Sequence, residues 1–277
     1  MEGFEIFRAE GVQGGFEVLG DDAAQLLTVN LVQGETLTCE PGSMAFSSTT
    51  VKPGVDCGHC SQRACLGGNN ACVLATYTAE TAEGGVVALS APTLPAKIIP
   101  LQLAPGVGVR FPAQAYLGHR GSVLVEYERG KCLAASLGCC SFLASCCPPA
   151  FGAPPACFAG ARLRVAGTGT AFLTALGTVV VRELQKGESV MVTMPSLVAW
   201  EDSVLHTRSP EVLWTCCLGA RGVATTVVTG PGKVYIQSLC REKYAANLRD
   251  VTSFEIQRQR PSRRHDTSKP LSSSGVK

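Results

Sequence analysis

Four signatures of common enzymes are missing from this sequence. It contains no Gly-x-Ser-x-Gly elbow for an acyl-transfer serine, no Walker-type glycine loop for nucleotide phosphates, no His-Glu-x-x-His for a zinc hydrolase and no His-x-His of the kind cupin-type metal sites use. His206 has no nucleophile partner at a recognisable spacing. We therefore expect no catalytic residues, no resident cofactor and no enzyme activity. Charge is also scarce: 17% of residues are charged, against roughly 25% in ordinary globular proteins. A surface that poor in charge is expected to be covered in part by partner subunits. Aromatics amount to 6% and the basic residues gather near the C-terminal end, so base-stacking recognition of nucleic acid is not expected.

Long apolar runs are lacking too. The longest uncharged stretch, Cys132 to Ala161, is broken by Pro148-Pro149 and diluted by glycine and serine, whereas a spanning helix needs about 20 apolar residues. Its plain reading is a buried segment or a mobile loop. Membrane-surface contact, acylation of the Cys139-Cys140 and Cys146-Cys147 pairs, and burial between subunits stay open. No secretory signal is seen, and Glu2, Glu5 and Glu10 against Arg8 have the wrong composition for a mitochondrial presequence. Cytoplasm is the compartment these residues suggest.

What is present is an internal repeat. Leu31 to Phe46, LVQGETLTCEPGSMAF, returns at Leu184 to Trp200 as LQKGESVMVTMPSLVAW. A third version, LQLAPGVGVRFPAQAYL, runs from Leu101 to Leu117 without the glutamate. Each reads as turn, strand, turn, strand. Each is followed by a second half read as strand, glycine turn, strand: ATYTAETAEGGVVALSAP from Ala75, ARLRVAGTGTAFLTALG from Ala161 and TTVVTGPGKVYIQS from Thr225. Gly84-Gly85, Gly167-x-Gly169 and Gly230-x-Gly232 fit hairpin turns, where positive φ is needed. Thirty glycines and sixteen prolines at turn-like intervals favour many short strands. The expected class is all-β, with an N-terminal segment over 1–15 and three units over about 16–100, 101–183 and 184–240. A short helix is expected near 241–248, and then a basic, disordered tail to residue 277.

Gly34, Glu35, Glu40-Pro41-Gly42-Ser43-Met44, Lys97-Ile98-Ile99-Pro100-Leu101, Gly167-x-Gly169 with Ala171-Phe172, Gly187-Glu188 and Gly230-Pro231-Gly232 carry a resemblance. From Phe16 to Leu239 the chain resembles the mitochondrial biogenesis family named for altered inheritance of mitochondria. The resemblance implies a fold similar to the tryptophan RNA-binding attenuation protein, a double-stranded β-helix prone to form oligomers. A trimer or a multiple of one is the expectation. It implies no enzyme reaction. It also makes the mitochondrion the alternative compartment.

The cysteines offer a second line. Cys57, Cys60, Cys65 and Cys72, with His59, lie within sixteen residues and supply the ligand types of a tetrahedral zinc site, although their spacing matches no usual two-knuckle pattern. Cys57-Gly-His-Cys60 also resembles a thiol-disulfide exchange site. The plain reading is a loop of reduced, unligated thiols. With fourteen cysteines and no secretion signal, no disulfide framework is expected. His119-Arg120 reads as a solvated turn before a strand from Ser122, and Asp21-Asp22 as an exposed one. The function expected is a non-enzymatic oligomeric scaffold, with cysteine-based zinc or redox chemistry as the alternative.

Overall fold

Alternation of side chains drives the architecture. Along Leu26–Leu31 the residues Leu27, Val29 and Leu31 are buried while Thr28 and Asn30 point away, the pattern of a strand with one face on a core. The computed structural model describes residues 3–9, 14–20, 24–58, 73–91, 96–128, 162–208 and 225–240, together with Tyr244 and Leu248. Its strands are β1 Glu5–Ile6, β2 Phe16–Leu19, β3 Leu26–Leu31, β4 Thr36–Cys39, β5 Met44–Ser47, β6 Val51–Asp56, β7 Leu74–Ala79 and β8 Gly85–Ser90. There follow β9 Ala96–Leu103, β10 Val109–Pro112, β11 Tyr116–Glu128 and β12 Arg162–Leu176. The last are β13 Val179–Leu184, β14 Ser189–Thr193, β15 Leu197–Glu201, β16 Leu205–Arg208, β17 Thr225–Thr229 and β18 Gly232–Gln237.

The fold is all-β, as expected, in antiparallel sheets of eleven, four and three strands. Among the described residues no sheet closes into a barrel, and no helix is long and apolar enough to cross a membrane. The chain divides into Met1–Cys240 and Arg241–Lys277. In the second unit Tyr244 and Leu248 are helical; the rest of the expected helix and the basic tail lie outside the described residues. So do Asp21-Asp22 and the uncharged segment from Cys132 to Ala161.

The pairing follows one order. In the first third β3 pairs with β8 and β8 with β5, while β4 pairs with β7 and β7 with β6. In the last third β13, β18 and β15 pair in the same sequence, as do β14, β17 and β16. The middle third fuses the two layers. One half of β12 pairs with β9 and the start of β11, and the other half with β10 and the end of β11. A β-bulge falls at matching places in all three, between Met44 and Phe46, Tyr116 and Gly118, and Leu197 and Ala199. Bulges re-aim a strand at a fixed residue, so a shared bulge is a shared register.

The fusion corrects one expectation. Gly167 and Gly169 make no turn: β12 runs through them for 15 residues, opposite the 13 of β11. The two strands bend together where glycines face one another. A Cβ on Gly167 would lie 2.2 Å from the Ser122 carbonyl oxygen and one on Gly169 2.3 Å from that of Arg120. The glycines therefore serve close backbone approach.

Two junctions join the thirds. β4 pairs with β11, setting Cys39 opposite Gly118 and Thr38 opposite His119. β10 pairs with β15, setting Arg110 opposite Trp200. The cores follow these junctions. The cluster around Phe16, Leu27 and Leu37 takes in Ile98, Leu117 and Phe172 from the middle third. The cluster around Phe111 and Leu163 takes in Val179, Val198 and Ala199 from the last. The last cluster, Leu184, Val192, Leu197, Trp200, Val204, Val228 and Val234, has no member from the first third.

Candidate functional site

The repeated Gly-Glu pairs are turn devices. Gly34 and Gly187 adopt φ of 81° and 83°, and the glutamate that follows folds its carboxylate back onto the turn. Glu35 Oε2 accepts from the Val32 amide at 3.1 Å, and Glu188 Oε2 from the Gln185 amide at 2.8 Å. The Gln185 amide, helped by Arg182, holds the Glu188 carboxyl below the usual carboxylate range. The middle unit makes the same turn, Val107 N to Ala104 O, with no carboxylate. These glutamates satisfy backbone donors, which explains why they recur without any catalytic partner.

Among the described residues the largest group of linked ion pairs lies at the β10–β15 junction, and nothing in the sequence pattern singles it out. Asp202, just after β15, donates its amide to the Gly108 carbonyl at 2.9 Å. Its Oδ2 accepts from Arg164 Nε at 2.7 Å, and its Oδ1 lies 3.0 Å from Arg110 Nη1. Oδ1 is buried and receives no directed hydrogen bond, so the Arg110 contact is one of charge and proximity. Arg164 also donates to Glu126 at 2.7 Å and Arg110 to Glu128 at 3.1 Å. Two cations and three carboxylates thus close on one another across two thirds of the chain. The chemistry is that of a clasp. Replacing Asp202 by alanine leaves two guanidinium groups short of a partner at a site about a quarter exposed, and a loss of about 1–3 kcal/mol in urea unfolding is expected. Asp202→Asn should lose less, because the amide oxygen still accepts.

The histidines are packed. His119 sits inside β11, where its Nδ1 shares a 2.5 Å hydrogen bond with the Tyr116 hydroxyl. Burial pushes its pKa down to about 4, against a small opposing pull from Asp56. In place of the solvated turn expected at His119-Arg120, β11 runs on through both residues, and both are half-buried. The physical reason is Gly121, whose φ of 87° bends β11 without ending it. His206 stacks on Trp200 with ring centroids 5.5 Å apart, and its Nε2 lies 3.1 Å from Met194 Sδ and 3.2 Å from Thr226 Oγ1.

Of the four candidate zinc ligands, Cys57 lies one residue beyond β6 and is exposed. Cys60, Cys65 and Cys72, with His59, lie outside the described residues. Cys39 is buried and its thiol is pushed up to about 11 by that burial, which makes it a core group and not a nucleophile. Among the described residues no three of His, Cys, Asp and Glu cluster as metal ligands do.

The remaining feature is apolar. Met44 (40% exposed) and Phe46 (50%) on β5, and Met191 (60%) on β14, stand in the open. The lack of charge in MAFS and SVMVT, beside the lysine, proline and aspartate of VKPGVD in β6, was the signal in the sequence.

A family model described as mitochondrial biogenesis AIM24 matches residues 16–239. Among curated proteins no relative matches. Among solved structures the chain is similar to the crystal structure of protein SPYM3_0169 from Streptococcus pyogenes, at 19% identity and a TM-score of 0.64. The match covers 85% of this chain and 98% of that one. At that identity the likeness is one of fold.

Proposed function

Because the chain belongs to the mitochondrial biogenesis AIM24 family, we propose that it is a non-enzymatic, oligomeric scaffold of that process. On this reading the domain is three copies of one double-stranded β unit, similar in kind to the attenuation protein fold. The same pairing order and the same bulge in each third support that reading. The observation that carries the scaffold is what the prominent polar groups do. The Gly-Glu carboxylates hold turns and the Arg110, Arg164 and Asp202 cluster holds a junction, while β5 and β14, which carry no charge, leave Met44, Phe46 and Met191 exposed. A protein built so has its binding capacity in strand edges and apolar contacts. Partners are to be sought among proteins of the organelle that the family name indicates, and on membrane surfaces. The cysteine-based alternative rests on exposed Cys57 and its three neighbours in sequence.

Native mass spectrometry of the full-length protein, purified under reducing and chelator-free conditions, separates the two. A metal-free homo-oligomer, a trimer or a multiple of one, is the expected result. A monomer carrying stoichiometric zinc would overturn the scaffold and make Cys57, Cys60, Cys65 and Cys72 the functional site.

A further inference from the structure

We infer that β5 of one copy pairs antiparallel with β14 of a second copy, head to tail, with Ser47 opposite Met191 and Phe46 opposite Val192. The inference rests on the oligomeric scaffold proposed above and names the surfaces that build it.

The two junctions inside the chain set the rule. In each, the second strand of one unit pairs with the third strand of the next: β4 with β11, then β10 with β15. Repeating the rule once more pairs β14, the second strand of the last unit, with a third strand equivalent to β5. The bulges fix the alignment of third strands, with Phe46, Gly118 and Ala199 each ending the bulge. The positive-φ glycines fix the second strands. Cys39, Phe111 and Val192 each lie five residues beyond Gly34, Gly106 and Gly187 (39 − 34, 111 − 106 and 192 − 187). Cys39 faces Gly118, and Arg110 faces Trp200, which puts Phe111 level with Ala199. By the same step Val192 faces Phe46.

Among the described residues both strands have an open side. β5 ends the four-stranded sheet and β14 ends the three-stranded one. Residues equivalent to Phe46 are covered, Gly118 and Ala199 being buried, whereas Phe46 is 50% and Met191 60% exposed. The last core cluster takes in nothing from the first unit, although the other two clusters each take in residues across a junction. An intact third junction is what the single chain leaves unmade.

Charge points the same way. Natural sheet edges carry charge or proline to prevent strand addition. The other strands with an open side do so: β1 has Glu5, β2 has Glu17, β6 has Lys52, Pro53 and Asp56, β9 has Lys97 and Pro100, and β16 has Arg208. β5 and β14 contain neither charge nor proline. Among the described strands, the two undefended edges are the two that the repeat would pair. Because the surfaces differ, the contact is heterologous and closes a ring when the rotation per copy allows it.

The test uses the full-length chain and two exposed substitutions, Phe46→Lys and Met191→Lys, read by native mass spectrometry and sedimentation. Wild type is expected as a homo-oligomer and each variant as a single copy. An equimolar mixture of the two should give a 1:1 dimer and nothing larger, since each variant keeps one working edge; this also shows that both are folded. Val55→Lys, on the defended β6 edge at 64% exposure, should leave the wild-type mass unchanged. An oligomer that persists in both variants, or variants that stay single when mixed, would overturn the strand pairing and leave the scaffold standing. A wild type that is itself a single copy would overturn both.

Discussion

Phe172→Ala is expected to lower stability by about 3–5 kcal/mol, the range for deleting a buried aromatic and leaving its cavity. Phe172 belongs to β12 of the middle unit, but its ring is fully buried in the core of the first. It meets Phe16 edge to face, with centroids 5.3 Å apart and planes at 79°. Denaturant unfolding followed by fluorescence and by circular dichroism checks the size of the loss. Because the core spans a junction, both probes should shift together. Separate transitions for the first and middle units would mean that each unit is stable alone and that the shared core contributes little. Val55→Ala, at an exposed position, serves as the reference and should stay within about 0.5 kcal/mol of wild type.

Acid should weaken the fold before the carboxylates titrate, and His119 is the reason. Its folded-state pKa is pushed down from 6.5 to about 4, chiefly by burial. Above pH 6.5 the imidazole is neutral folded or unfolded, and it costs nothing. As pH falls from 6.5 toward 4 the unfolded chain takes up a proton that the folded chain does not. Stability is therefore present above the window and lost through it, by about 3 kcal/mol at full extent. Glu188, whose carboxyl is held low by the Gln185 amide, adds its own loss only once pH falls into the ordinary carboxylate range and below. Urea unfolding at half-unit steps from pH 7.5 to 4 measures the slope. In His119→Gln the slope between 6.5 and 4.5 should flatten, and an unchanged slope would assign the acid sensitivity to another group.

How far the sequence could be read divides along local and non-local lines. The Gly-Glu turns were legible because turn and partner lie three residues apart: Glu35 reaches Val32 and Glu188 reaches Gln185. The same holds for the all-β class, which follows from alternation in stretches such as LLTVNL. Gly167 and Gly169 were read as a hairpin turn because a glycine pair between two apolar runs looks alike in a turn and in a bend. What distinguishes them is the strand lying across them, β11 with Gly121, which is distant in sequence. His119 was misread for the same reason. The clasp was hidden more deeply, since Arg110, Arg164 and Asp202 meet only through the register of three strands. Cys57 is exposed, but whether Cys60, Cys65 and Cys72 join it depends on residues outside those described.

Backbone amide hydrogen exchange of the full-length protein, resolved to β5 and β14, tests the account most directly. If the protein is a scaffold assembled through these edges, the outward amides of 44–47 and 189–193 exchange as slowly as those of β4 and β10, and become fast in Phe46→Lys and Met191→Lys. If they exchange in wild type as freely as the open side of β6, these strands bind no neighbour, and the assembly described here does not form.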